Sequence, residues 1–213
     1  MRYIDMSTWP RRKHFQVYSG FDYPHFNLCA YVDITAFHRT VKQRDLSFTT
    51  AIVYVLARAA NAIPEFRYRI REGQVVEHEV VHPSVTVLTE GDLFSFCTIP
   101  YAQDFGTFAT QAAKVIARVK ERPTLEDEPG QDELLFMTGI PWVSFTGLMH
   151  PIQMHPVDSV PRIAWGKFFA EGNRLRMPVS VQANHTLMDG IHVGRYFGLV
   201  QEHLNQPEFL LEP

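Results

Sequence analysis

Pro178-Val179-Ser180-Val181-Gln182-Ala183-Asn184-His185-Thr186-Leu187-Met188-Asp189-Gly190-Ile191-His192-Val193-Gly194-Arg195 is the stretch whose reading decides the fold. Met177 to Ala183 reads as a strand, and a helix is expected from about Ile191 to Leu204, directly after Asp189-Gly190. His185 then falls at the exit of a strand, in the turn that feeds a helix. A side chain there is held by rigid neighbours yet faces a cleft, the usual setting of a catalytic group. Imidazole also accepts a proton near neutral pH. A histidine satisfied by its neighbours at a strand end is the commoner occupant of such a place. Asp189, four residues on, has three readings: it orients the imidazole, it pairs with a cation, or it caps the helix.

Working outward, the chain mixes strands and helices without regular alternation. Ser7-Thr8-Trp9-Pro10 reads as a cap with Pro in the first turn of a helix over Arg11 to Tyr18. Residues 26–34 read as a strand, Thr35 to Lys42 as a helix, and Phe48 to Ala62 as a core helix capped by Ser47 and stopped by Pro64. Strands are expected at Tyr68–Ile70 and Gln74–Glu79 around the turn Arg71-Glu72-Gly73, and at Val81–Leu88 and Leu93–Ile99 around Glu90-Gly91-Asp92. A helix follows from Ala102 to Glu121, then a surface loop at 122–133. Further strands are expected at Leu134–Thr138, Val143–Thr146, Arg162–Phe169 and Met177–Ala183, the last two joined by a turn at Ala170-Glu171-Gly172-Asn173. This order predicts an α+β fold, with a mixed or antiparallel sheet covered by helices, in one domain over residues 1–213.

Composition limits the function. With 46% hydrophobic residues the chain can build a large core, and its 27 aromatic residues suit a dense core or an apolar pocket. A net charge of −3 offers no field for nucleic acid or an anionic membrane. Cys29 and Cys97 lie in apolar stretches, as reduced buried cysteines do, and neither sits where a nucleophile would be activated. The first residues lack the apolar run of a signal peptide, and no stretch reaches the roughly 20 apolar residues of a membrane span. A soluble cytoplasmic protein is expected. His78 and His82 stand about two steps apart on one side of a pleat. His185, Asp189 and His192 could look like metal ligands but have no second cluster with ligand spacing, so no metal is expected. Serine-hydrolase, P-loop and dinucleotide motifs are also absent from the sequence.

The segment 178–195 resembles the signature of the type A chloramphenicol acetyltransferases, in which two histidines precede three residues and Asp-Gly. Trp9-Pro10-Arg11-Arg12-Lys13-His14-Phe15, Val32-Asp33-Ile34-Thr35, Pro64-Glu65-Phe66-Arg67, Val81-His82-Pro83 and Pro141-Trp142-Val143-Ser144-Phe145-Thr146 are similar to that family in the same order. The resemblance implies a two-layer α+β sandwich and a homotrimer with active sites at subunit interfaces. It implies direct acetyl transfer from acetyl-CoA to a hydroxyl of chloramphenicol or a related small acceptor, with His185 as general base. Asp189 becomes the structural partner of Arg11. Lys167 and Phe168 fall at the CoA site, and Tyr18, Phe26 and Phe96 at the acceptor site.

Several positions depart from the family pattern. Asn184 replaces the first histidine of the pair, which spares the base. Gly147 stands where the family has a serine that donates to the oxyanion, and Ala164 where it has a threonine. Losing one such donor costs roughly 3 kcal/mol. Either Ser144, Thr146 or a backbone amide replaces it, or the enzyme is slow on chloramphenicol. Asp22 and His25 make the acceptor stretch more polar than the family's. Two alternatives follow: a catalytically weakened trimer that binds without turnover, or transfer to a thiol or amine as in dihydrolipoyl acyltransferase cores. Those cores carry a Pro/Ala-rich linker to a lipoyl domain, and this sequence has none.

Overall fold

The computed structural model of the chain describes residues 1–125 and 130–211. The first elements are β1 (Arg2–Tyr3), α1 (Arg12–Tyr18), β2 (His25–Asp33), α2 (Thr35–Gln43) and α3 (Phe48–Asn61). Then come β3 (Tyr68–Arg71), β4 (Gln74–Glu77), β5 (His82–Leu88), β6 (Phe94–Thr98) and α4 (Phe105–Glu121). The last third holds β7 (Leu134–Ile140), β8 (Arg162–Gly166), β9 (Phe169–Glu171), β10 (Arg174–Asn184), α5 (Gly190–Asn205) and α6 (Pro207–Leu210).

The main sheet runs β2-β10-β8-β7-β5-β6, with β9 also paired to β10. The β5–β7 and β7–β8 pairs are parallel and the others antiparallel, so the expected mixed sheet is present. One face is apolar. Met177, Val179, Val181 and Ala183 of β10 join Ile163 and Trp165 of β8 in one core cluster with α3, α4 and α5. Helix α3 is apolar on nearly every face because it is enclosed, with every residue from Ala51 to Ala60 except Arg58 buried. Truncating a side chain such as Leu56 there would cost about 2–5 kcal/mol.

The other face of β10 is polar and equally buried, at Ser180, Gln182 and Asn184. The segment 147–160 covers it and satisfies it. Ser180 Oγ donates to the Leu148 carbonyl at 3.3 Å, the His150 amide donates to Gln182 Oε1 at 2.7 Å, and Asn184 Nδ2 donates to the Asp158 carbonyl at 3.3 Å. A small second sheet, β1-β4-β3, shares a hydrophobic cluster with α1 through Tyr68, Val75 and Phe15. Its β3–β4 hairpin turns through Glu72 and Gly73, both at positive φ (49° and 73°), which is why glycine follows there. Arg69 of β3 is wholly buried, and its guanidinium donates to the carbonyls of Phe66, Tyr68, Asp132 and Leu134. Burial lowers its pKa to about 10, which leaves it protonated at neutral pH.

Several expectations are corrected. Val143–Thr146 is not a strand: Trp142 and Val143 are exposed, and the segment instead straps the end of β8, with the Lys167 amide donating to the Val143 carbonyl at 2.9 Å. The single strand over Arg162–Phe169 is broken after Gly166. Pro178 has no N–H to continue the β10–β8 ladder, and a Cβ at Gly166 would lie 2.7 Å from both the Pro178 ring and the Val143 carbonyl. Three residues of one strand then oppose two of the other before Arg176 pairs with Phe169, which makes a bulge. Ser7 does not cap α1, since its hydroxyl donates to Asp5. The helix α4 starts at Phe105, where Asp104 caps it by accepting the Thr107 amide at 2.7 Å. Of the loop expected at 122–133, residues 126–129 lie outside the described residues.

Candidate active site

Nine register pairs with β2, from Arg176–Asp33 to Asn184–His25, carry β10 to its end and deliver His185 beside the start of β2. The His185 amide donates to the Pro24 carbonyl at 2.7 Å, so the turn is tied back to the neighbouring strand. Asn184 closes the turn, its Oδ1 accepting the Thr186 amide at 2.9 Å. That role suits Asn as well as any short acceptor.

The imidazole of His185 lies flat against Tyr18, with ring centroids 4.1 Å apart and 12° between planes. Phe26 also meets the ring, tilted at 49° with centroids 4.8 Å apart. Its Nδ1 is 3.1 Å from the Met188 carbonyl and 3.0 Å from Asp189 Oδ1. Both neighbours are acceptors, so Nδ1 carries the proton and Nε2 presents a lone pair. The side chain stays about one-third exposed, which keeps that lone pair reachable.

Asp189 fills two of its three sequence readings and occupies the third by position. It stands at the N-cap of α5, and its carboxylate faces His185 Nδ1. It is also gripped by Arg11, whose two terminal nitrogens donate to Oδ1 (3.0 Å) and Oδ2. Arg11 also donates to the His185 carbonyl at 3.1 Å. The Arg11 hydrogen bond holds the Asp189 carboxyl below its ordinary pKa, against the opposing effect of burial.

The remaining sequence-derived positions are not at His185 within one chain. Leu148 sits beside Ser180, five residues before His185 along β10, which at a strand's rise is about 16 Å away. Thr146 and Gly147 precede it, running away from His185. Ser144 Oγ donates to the Lys167 carbonyl at 2.7 Å. Thr146 is exposed, and a Cβ built on Gly147 meets nothing within 4 Å. Ala164 is buried between Thr138 and Ser180. Phe96 lies on β6, four strand spacings from β10, or about 19 Å. The Lys167 side chain is exposed, whereas the Phe168 ring packs on His38 and Phe48.

Other groups are spoken for. His25 Nε2 donates to the Asp158 carbonyl at 2.9 Å, and burial keeps its pKa low. Burial pushes the Cys97 thiol up to about 11 and Cys29 in the same direction, which disarms both as nucleophiles. His78, Asp132 and Glu133 offer ligand atoms within 4.8 Å of one another, but Arg71 holds both oxygens of Asp132. His192 cannot join His185 on a metal, because its Nδ1 accepts the Asp189 amide (2.8 Å) and its Nε2 faces Glu65 (3.3 Å). The family-like stretch Pro64-Glu65-Phe66-Arg67 gave no sign that Glu65 meets this turn, since it lies more than a hundred residues away.

The fold is shared with solved acetyltransferases. A chloramphenicol acetyltransferase superposes with a TM-score of 0.86 at 26% identity, over 95% of this chain and 99% of that one. An Azotobacter vinelandii dihydrolipoamide acetyltransferase has the same fold, with a TM-score of 0.71 at 17% identity over 94% of this chain and 88% of that one. The chain thus has the fold of these acetyltransferases. Chloramphenicol acetyltransferases of Klebsiella sp and Escherichia coli are 31% identical over 95% of this chain and 93% of their own, and chloramphenicol acetyltransferase 2 of Haemophilus influenzae is 32% identical over 93% and 94%. The family model described as chloramphenicol acetyltransferase matches residues 1–201, and the chain belongs to that family.

Proposed function

We propose that the chain, as one acyltransferase domain, moves the acetyl group of acetyl-CoA to a hydroxyl of chloramphenicol or a related small acceptor. The observation that carries this is the placement of His185 Nδ1 against two acceptors, the Met188 carbonyl and Asp189 Oδ1, which leaves Nε2 to act as the base. Nε2 takes the hydroxyl proton as the oxygen attacks the thioester carbonyl. The tetrahedral intermediate then collapses, the C–S bond breaks, and the thiolate of CoA leaves with the proton from Nε2. No acyl-enzyme is needed. Tyr18 and Phe26 hold the ring and line the acceptor side, and the free ammonium of Lys167 suits a phosphate of CoA.

The separation of His185 from Phe96, Lys167 and the 144–147 segment supports a site completed by a second copy of the chain in a homotrimer. Exposed apolar side chains on the half of the molecule far from His185 fit such an interface, among them Leu93 (67%), Phe94 (48%) and Trp142 (67%). Sedimentation should then give three times 24.5 kDa. Among the described residues no helix is long and apolar enough to cross a membrane, which fits the cytoplasmic setting of such chemistry.

Gly147 and Ala164 favour a second reading, a trimer that binds its ligands with little turnover. Thiol release from acetyl-CoA, measured with chloramphenicol and a panel of small alcohols, separates the two. Acceptor-dependent release that vanishes in His185→Ala supports transfer, and the absence of release with every acceptor overturns it.

A further inference from the structure

Behind His185 and Asp189 lies a second histidine–carboxylate pair that faces no substrate. His192 is in the first turn of α5, and its side chain is nearly nine-tenths buried. Its Nδ1 accepts the Asp189 amide proton at 2.8 Å, so that nitrogen is unprotonated. Its Nε2 then carries the hydrogen and points at Glu65 Oε1, 3.3 Å away. Glu65 stands on the single 3₁₀ turn Pro64–Arg67 that follows α3. That turn is itself fixed to α5, since Phe66 stacks on Tyr196 with centroids 4.8 Å apart. The carboxylate accordingly meets the imidazole from a rigid platform.

The two pairs are joined through one residue. Asp189 gives its carboxylate to Arg11 and His185, and its amide to His192. A free amide at this place would be an unsatisfied donor at the mouth of α5. Were His192 to take the other tautomer, its Nδ1–H would oppose the Asp189 N–H, and the cap would open. Glu65 excludes that tautomer by demanding a hydrogen at Nε2. We propose that Glu65 and His192 are positioning residues for His185: they fix the tautomer that clamps Asp189, and Asp189 with Met188 then fixes the tautomer and aim of the base. The inference rests on His185 acting as the base.

The test uses His192→Leu, His192→Asn and Glu65→Ala in the full chain. In His192→Asn the amide oxygen can take the place of Nδ1 and accept the Asp189 N–H. His192→Leu should lower kcat about 10- to 100-fold, the scale of a misplaced catalytic group, with KM for acetyl-CoA within about two-fold. His192→Asn should restore most of that loss, and Glu65→Ala should fall between them. A plain packing role would make Asn, the more polar and smaller replacement, no better than Leu. Amide exchange at Asp189, read by NMR, gives a second arm that needs no turnover. Protection should be lost in His192→Leu and kept in His192→Asn. If the wild type shows no thiol release, the functional reading fails, and exchange alone decides the coupling. Undiminished kcat in His192→Leu, an Asn variant as slow as Leu, or Asp189 protection that survives the Leu change would each overturn the inference.

Discussion

The turn at 185–190 and the strap at 141–150 are both irregular segments beside β10, yet they hold their polar groups in opposite ways. In the turn, the His185 imidazole is fixed by two acceptors and two aromatic rings, and Asp189 is held at both carboxylate oxygens and at its amide. In the strap, the one hydroxyl with a bond, that of Ser144, is spent on the Lys167 carbonyl, while Thr146 is exposed and Gly147 has open space where a Cβ would stand. The imidazole proposed as the base is thus held by contacts within a single chain. The group that would meet the developing oxyanion is not. Preorganised donors at that oxygen commonly lower the barrier to acyl transfer more than any other one effect, so in the proposed transfer the strap would set how much of the turn's preparation becomes rate.

The sharpest way to break the comparison is at the turn. His185→Ala should reduce thiol release about 10²- to 10⁴-fold, the range for loss of a positioned general base, with unchanged unfolding. Residual activity above a tenth of wild type would remove His185 from the chemistry. Arg11→Met comes next. It leaves the partly buried Asp189 without its cation and should cost about 3 kcal/mol, the lower end for a broken buried pair. The pH dependence identifies the cause. Asp189 has a folded pKa below its unfolded value of about 3.9, so its pairing contributes fully above that value and is lost as pH falls through the folded one. The stability difference between wild type and Arg11→Met should hold steady from pH 7 to about 5 and shrink below about 4. Urea unfolding across that series measures it, and a difference that ignores pH would assign Arg11 to its bond with the His185 carbonyl instead.

The strap is tested by adding to it. Gly147→Ser should raise turnover on chloramphenicol about ten-fold or more, short of the 10²–10³ that a fully aligned donor supplies. The open space at Gly147 means the serine can be accommodated without displacing a neighbour. A folded variant with no gain would show that the oxyanion is met by some other group, and the contrast between the two segments would lose its functional meaning.

The same contrast governs what could be read from residues alone. The end of β10 and the start of α5 were legible because strand, turn and helix signals follow one another within eighteen residues. Helix α3 was legible for its run of apolar residues between Ser47 and Pro64. The choice among the three readings of Asp189 was not, since Arg11 lies 178 residues away and no local pattern records the pairing. The strap read as a strand because Val143 and Phe145 alternate with polar residues. Its actual course depends on Gly166 and Pro178, which forbid the ladder it would have joined. The burial of Arg69 is likewise invisible locally, because the Asp132 and Leu134 carbonyls that satisfy it arrive from more than sixty residues away. Periodicity reports what a segment buries, and it is silent on polar partners brought in from afar.

The smallest effect decides which hydroxyl of the strap matters. Ser144 Oγ already gives its one hydrogen to the Lys167 carbonyl, so it has none left for an oxyanion. Ser144→Ala should then cost about 1 kcal/mol of stability, the net worth of one hydrogen bond, and change kcat by no more than about three-fold. Thr146 has its hydroxyl free among the described residues, and Thr146→Val should lower kcat without touching stability. A large fall in kcat for Ser144→Ala at unchanged KM would mean that the serine releases Lys167 when substrate binds. The strap would then be as prepared as the turn, with its donor held in reserve by the carbonyl at the β8–β9 bulge.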